Sequence, residues 1–417
     1  MPRARHRLVS SFAASAAIAT LATACVIERG AVVPSIVDVE PALAATAEAE
    51  ETALLARVDA YDDPDLTSYL ASVVDRLLSE DERATDASTM TVTVLRDPSL
   101  SAFAMPTGRI FVHTGLLARL DNEAQLATIL AREMTHVRRH HAATRAPSAV
   151  PIAEAVAAIA RTIGTATVSP AGREEAVSAV LGPVFRAMLS TPLPIAYAAA
   201  VEGYGEALAR EADAGAAERL VRASYDPKEA SRAFEHLRHA ARAGGAIERF
   251  FYGNETVLAE RAEAVAPIGA TEGAVTTAVA TPDTFTAVLL PVLRDNAKLE
   301  LAAGRFRLAQ EQLDRALASA PEDAVLHLLY GDLYRLRAQR VRSVADQDEL
   351  ARKAYASYER CIALDPDRTE VQRQLGLLYY QLRQIDRARD AFARYLALRP
   401  DAPDAARVRE YLVEPGR

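Results

Sequence analysis

Apolar positions recur with helical period along most of this chain, most regularly between Asn122 and His141, N-E-A-Q-L-A-T-I-L-A-R-E-M-T-H-V-R-R-H-H. Leu126, Ile129, Leu130, Met134 and Val137 follow the i, i+3, i+4 spacing of one buried helix face. Asn122, with Gln125 three places on, is a capping signal at its start. Upstream, Leu54, Leu55, Val58 and Tyr61 predict one helix, and Leu66, Leu70, Val73, Leu77 and Leu78 a second after Pro64. The period then changes to two. Residues 89–95, T-M-T-V-T-V-L, are β-branched and alternate, which predicts a strand. A short apolar segment at 102–105 and a turn at Pro106-Thr107-Gly108 lead to a second strand, Arg109, Ile110, Phe111, Val112 and His113. Residues 143–200 suggest two or three apolar helices broken by prolines, and helices follow over 201–222 and 229–243 with a stop at Tyr225-Asp226-Pro227.

Residues 267–285 are small, nearly uncharged and bear Gly, Thr and Pro, as a linker does. A repeat follows it. Pro321, Pro366 and Pro400 each close a helix pair, the last two 34 residues apart and the first two 45 apart. In the final unit Leu375-Gly376, Tyr379, Ala388, Phe392 and Pro400 fall on tetratricopeptide positions. The unit before it carries Tyr330-Gly331, Tyr334, Ala354, Tyr358 and Pro366, with about eleven extra residues between its helices. A worn first unit starts near Thr286 and retains Ala297, Ala309 and Pro321. Each position has a packing reason: small residues let helices approach, aromatics fill the gap, and proline ends the second helix. Three units make a short all-α solenoid with a peptide-sized groove.

Composition changes the picture at the amino end. M-P-R-A-R-H-R before an apolar run from Leu8 to Ala24 reads as a signal peptide over 1–24. L-A-T-A-C resembles a bacterial lipoprotein box with Cys25 as the lipidated residue, ahead of an alanine-rich tether over 25–51. The expected location is the bacterial periplasm, lipid-anchored, and Val26 after Cys25 points to the outer membrane. The other cysteine, Cys361, lies on an apolar helix face and reads as core filler, so no disulfide framework is expected. A net charge of −8 without a basic tail argues against nucleic acid as a partner.

The chemistry sits on the organising helix. On such a helix H-E-x-x-H sets two histidines on one face to hold zinc, and the glutamate activates a water. The five residues here are Arg132, Glu133, Met134, Thr135 and His136. Glu133 keeps the base position and His136 a ligand position, but the guanidinium of Arg132 has no lone pair to give a cation. A shifted pair, His136 and His140, with His141 and Glu206 or Glu211 as a third donor, is a possible rescue, although Val137 then takes the base position. His113, His236, His239 and His327 read as isolated surface residues. The run Arg138 to His141 reads as a solvated helix end whose cations offset the dipole, with anionic lipid headgroups as the alternative.

The segment from Ser99 to His141 resembles the membrane-associated gluzincin zinc metallopeptidases, the family of HtpX, the CAAX prenyl endopeptidase and BepA-like proteins, in which a peptidase domain can precede tetratricopeptide repeats. The resemblance implies an α+β metallopeptidase domain, mostly helical with a small antiparallel sheet, over 52–266, then a linker over 267–285 and repeats with a capping helix over 286–413. Carried over by residue, the family's first histidine ligand falls on Arg132, its base on Glu133 and its second histidine on His136. Its third ligand, the first glutamate of E-x-x-A-D, falls on Ala209, while Ala212 and Asp213 are kept. Two of three ligands are thus replaced, and no cofactor is expected. A buried Glu133 then needs a partner, and an ion-pair network of Arg132 or Arg210 with Glu133 and Asp213 is expected in place of the metal. The resemblance implies a non-catalytic envelope protein that binds unfolded or partner polypeptides, through the sheet edge at 109–113 and the solenoid groove, in outer-membrane assembly or quality control. The alternatives are a zinc endopeptidase with non-standard ligands, and a tetratricopeptide scaffold for an envelope complex.

Overall fold

The computed structural model describes residues 36–84, 90–144, 182–191, 193–202, 205–244, 255–269 and 282–413. The signal peptide, Cys25 and most of the expected linker lie outside these residues. No described helix is long and apolar enough to cross a membrane.

The stretch expected to be a tether folds from Ile36 onward. Helix α1 (Ile36–Leu55) buries Ala47 and Leu54 completely. Its carboxylates are also bound: Glu51 pairs with Arg109 at 2.9 Å, and Glu50 accepts hydrogen bonds from the backbone amides of Ile195 and Ala196. Helix α2 (Pro64–Leu77) is capped by the Asp63 side chain, which accepts from Leu66 N, and buries Leu66, Leu70, Val73, Val74 and Leu77. Helix α3 (Glu80–Ala84) follows.

The sheet holds β1 (Thr91–Leu95), β2 (Ala102–Ala104) and β3 (Arg109–His113) in the order β1-β3-β2. The β2–β3 hairpin is antiparallel as expected, but β1 runs parallel to β3, so the sheet is mixed. Strand β3 is therefore the central strand and not a peptide-accepting edge. Ile110, Phe111, Val112 and His113 are all fully buried, and a strand apolar on both faces belongs inside a sheet. The edges fall to β1, whose end is bridged by Ala60 at Leu95, and to β2.

Helix α4 (Thr114–Leu117) leads to the organising helix α5 (Glu123–Arg138). Asn122 caps α5 by accepting from Gln125 N at 2.9 Å. Short helices α6 (His141–Thr144), α7 (Pro183–Ser190) and α8 (Pro194–Tyr197) follow, and then a π-helical turn at Ala198–Glu202. Helices α9 (Glu206–Arg222), α10 (Lys228–Gly244) and α11 (Glu255–Gly269) complete this half.

Helix α12 (Pro282–Ala302) opens the solenoid, yet it is built into both halves. Its Phe285, Leu289 and Val292 join the core of α2, α5 and β3, while Leu293, Ala297 and Leu301 join that of the repeats. Asn296 accepts from the Thr114 hydroxyl at 3.1 Å and donates to Gln312 at 3.1 Å, and Glu300 pairs with Arg119 at 2.9 Å. The repeats continue as α13 (Phe306–Ser319), α14 (Ala324–Ala338), α15 (Val344–Leu364), α16 (Glu370–Gln381) and α17 (Ile385–Leu398), closed by α18 (Ala405–Val413). A Cβ on Gly331 would stand 2.1 Å from the Tyr358 ring, and one on Gly376 would stand 2.5 Å from the Phe392 ring, so each glycine admits an aromatic. Cys361 is buried, which pushes its thiol up to about 11.

Candidate active site and its ion-pair network

Helices α5 and α9 cross closely because Gly215 has no side chain: a Cβ there would stand 2.7 Å from the Thr135 methyl. This approach brings Asp213 to Arg132. Arg132 donates from Nε to Asp213 Oδ1 at 3.1 Å and from Nη1 to Glu133 Oε1 at 2.5 Å. Arg261 of α11 grips the other side of Asp213, Nε to Oδ2 at 2.7 Å and Nη2 to Oδ1 at 2.8 Å, with its guanidinium 4.3 Å over the Phe234 ring. Arg210, the other cation considered from the sequence, instead bonds Glu206 on its own exposed helix face. Arg261 was not anticipated. Its only trace in the sequence is an arginine among Leu258, Ala262 and Val265, residues the fold buries.

Glu133 is 3% exposed, and this burial raises its carboxyl above the ordinary value while Arg132 pulls it down. The cluster balances two guanidinium groups against two carboxylates. Burial of like kind usually neutralises an isolated acid, but here each carboxylate has a guanidinium within hydrogen-bond range.

The chain leaves α5 through His140, whose φ of 51° lies in the left-handed region. That turn exposes His140 and folds His141 back on His136, Nδ1 to Nδ1 at 2.8 Å, with the rings edge to face. The shifted His136–His140 pair considered as a rescue does not form, and His136 meets His141 instead. One Nδ1 must carry a proton and the other accept it. Burial and the Arg132 charge hold His136 well below the usual imidazole range, and burial also lowers His141 while Glu211 pulls it up. His141 Nε2 lies 3.6 Å from Glu211, which also meets Arg139 at 3.3 Å.

Beside His136 lies a cleft of about 30 Å³, bounded by Ala104 and Met105 at the β2 edge, by Val137 and Ala142, and by Leu43 and Ala44 of α1. Space of that size admits about one or two waters. His113, read as a surface residue, is instead fully buried: Ser99 Oγ lies 2.9 Å from its Nδ1 and also donates to Asp97 at 2.6 Å. Asp97 accepts from the amide of Val184 at 2.9 Å, so this polar cluster pins α7 to the sheet.

A catalytic zinc needs three protein donors and one open position. The place of one donor is taken by a guanidinium already engaged with two carboxylates, and the place of another by Ala209, one helical turn before Asp213. Among the described residues no three His, Cys, Asp or Glu side chains are grouped to hold a metal ion. The residues present do not fit zinc: a dication would face the Arg132 guanidinium, which carries like charge and has no lone pair to give.

Comparison with known proteins places this site in a family. Residues 342–413 match a tetratricopeptide repeat model. A beta-barrel assembly-enhancing protease of Escherichia coli K12 is 35% identical over 82 residues, 19% of this chain and 16% of that protein. A Vibrio cholerae counterpart is 31% identical over 121 residues, 28% of this chain and 24% of the relative. The mitochondrial metalloendopeptidase OMA1 of Schizosaccharomyces pombe is 46% identical over 50 residues, 12% of this chain and 15% of the relative. The alignments thus span about a quarter or less of these relatives' own length. The model of peptidase family M48 matches residues 64–284, more than half of the chain, and the protein belongs to that family.

Proposed function

We propose that this chain is a non-catalytic member of its peptidase family. It binds unfolded or partner polypeptides in the bacterial cell envelope, in the assembly or quality control of β-barrel proteins. The observation that carries the reading is the Arg132–Glu133–Asp213–Arg261 network standing where the family's metal ligands fall. The names of the bacterial relatives supply the process. Polypeptide binding is assigned to the tetratricopeptide half, because β3 is buried at the sheet's centre. In this reading Cys25 is acylated and holds the protein at the outer membrane from the periplasmic side.

The test is elemental analysis of the purified full chain beside a casein-cleavage assay. The expected result is substoichiometric zinc and no cleavage above buffer. Stoichiometric zinc, lost together with cleavage in His136→Ala, overturns the proposal and supports a working peptidase with a non-standard ligand set.

A further inference from the structure

Helix α15 has 21 residues, against 14 in α13 and in α17. All three end two residues before a proline, at 321, 366 and 400, so the seven additional residues lie at the start of α15. The insertion in the second repeat is therefore partly helical, adding two turns to α15. Ala345 and Asp348 of those turns, with Ala351, Arg352 and Tyr355 of the turns that follow, form one wall of an open groove of about 800 Å³, whose other sides are the end of α16 and the start of α17. Ligand pockets occupy roughly 300–1,000 Å³.

The lining combines charge with apolar surface. Tyr355 and Leu382 are 38% and 37% exposed, unusual for large apolar side chains, and the Tyr355 and Tyr379 rings lie 6.3 Å apart. Arg352 makes no hydrogen bond or ion pair among the described residues. Arg387 donates to Gln384 at 3.0 Å and stands 5.1 Å over the Tyr379 ring, without a carboxylate partner among the described residues. Several other arginines of the repeats pair with carboxylates, as in Arg294–Asp323, Arg335–Asp332, Arg368–Asp365 and Arg373–Asp404, although Arg337 and Arg409 bond neutral groups. Asp348 is the one acid among the lining residues, and Glu349, whose charge acts on Arg352, is itself paired with Lys353 at 2.6 Å. Glu359 lies one helical turn beyond Tyr355, and its charge acts on the Tyr355 hydroxyl.

We propose that this groove takes an extended segment of a partner polypeptide in which acidic side chains alternate with aliphatic ones. Carboxylates would meet the guanidinium forks of Arg352 and Arg387, and aliphatic side chains would lie on Tyr355, Tyr379 and Leu382. The assignment rests on the polypeptide-binding reading above and narrows it to a site and a chemistry. Side-chain alternation suits an extended chain, whose successive residues point to opposite sides.

The probes are two fluorescein-labelled decapeptides, one alternating glutamate and leucine and one alternating lysine and leucine, titrated with the full chain by anisotropy. The glutamate peptide is expected to bind at least about tenfold more tightly, about 1.4 kcal/mol, and to weaken as salt rises. R352E/R387E should reverse the preference. R352Q/R387Q, a milder change checked for folding by circular dichroism, should abolish it, and Tyr355→Ala should weaken both peptides. Equal binding of the two peptides, or a glutamate-peptide affinity unchanged within twofold in R352Q/R387Q, overturns the assignment. Unfolded casein, titrated in parallel, separates the two readings: if it binds while the glutamate peptide does not, the groove assignment alone fails, and if neither binds, the polypeptide-binding reading fails with it.

Discussion

Arg132→Ala isolates the Glu133 carboxyl, and the structure sets the size of the effect. Arg132 is 14% exposed and Glu133 3% exposed, so the pair is shielded from water. Breaking a buried pair from one side costs roughly 3–5 kcal/mol. The stranded carboxylate has one escape, which is to bind a proton. Keeping it protonated costs 1.36 kcal/mol for each unit between an unfolded glutamate's pKa, about 4.3, and the ambient pH. That ceiling is about 3.7 kcal/mol at pH 7 and about 1 kcal/mol at pH 5. Asp213 adds little, because Arg261 still holds both its oxygens. Burial already raises this carboxyl in the native chain, so the expected loss lies under that ceiling, up to about 3–4 kcal/mol at pH 7 and up to about 1 kcal/mol at pH 5. The sign follows from linkage. The folded-state pKa of Glu133 is raised, and removing Arg132 raises it further, so the folded form of the variant is favoured below the unfolded value and loses stability as pH climbs. Urea unfolding followed by far-ultraviolet circular dichroism measures this, since the chain has no tryptophan. R132A/E133Q should recover most of the loss and flatten its pH dependence. A loss below about 1 kcal/mol at pH 7, or the same loss at both pH values, would refute the reasoning.

Other outcomes follow from the same structure. R132H/A209E restores an imidazole and a carboxylate at the two replaced ligand positions and leaves Asp213 to Arg261, so this variant should purify with zinc, measured by elemental analysis, where the native chain does not. Gly376→Ala drives a methyl into the Phe392 ring, and an overpacking loss of about 1–3 kcal/mol should appear in urea titration. Phe285→Ala, at the join of the two halves, should cost about 3–5 kcal/mol and destabilise the peptidase half and the repeats together. Burial lowers the His113 pKa, so its neutral form contributes stability that is present above about pH 6.5 and is lost as pH falls, by up to about 1.4 kcal/mol per unit. His113→Asn should lessen that acid slope between pH 6.5 and 5 relative to the native chain.

Periodicity and capping made α5, β3 and the repeat glycines legible in the sequence, because each is set by residues close together. Arg109 to His113 were found as a strand, but their place in the sheet was not, because strand order depends on which strand can be buried on both faces. The replaced ligand positions at 132 and 209 were visible as residue types. Arg261 was not, since it reaches Asp213 across 48 residues of chain and follows no motif. Likewise the choice of His141 over His140 turns on one backbone angle. The stretch before residue 52 looked like a tether because alanine-rich sequence has little amphipathic contrast, yet Glu50 and Glu51 fasten it through partners remote in sequence.

Because α12 gives Phe285 and Leu289 to one core and Ala297 and Leu301 to the other, with Asn296 bonded to both sides, this protein is not two interchangeable modules on a string. A recombination that swapped in a relative's solenoid at the sequence boundary would tear out part of the neighbour's interior, whereas one made beyond Ala302 would leave it whole. Lineages of this chain should therefore exchange their outer repeats freely while the first helix of the array drifts in step with the peptidase-family domain.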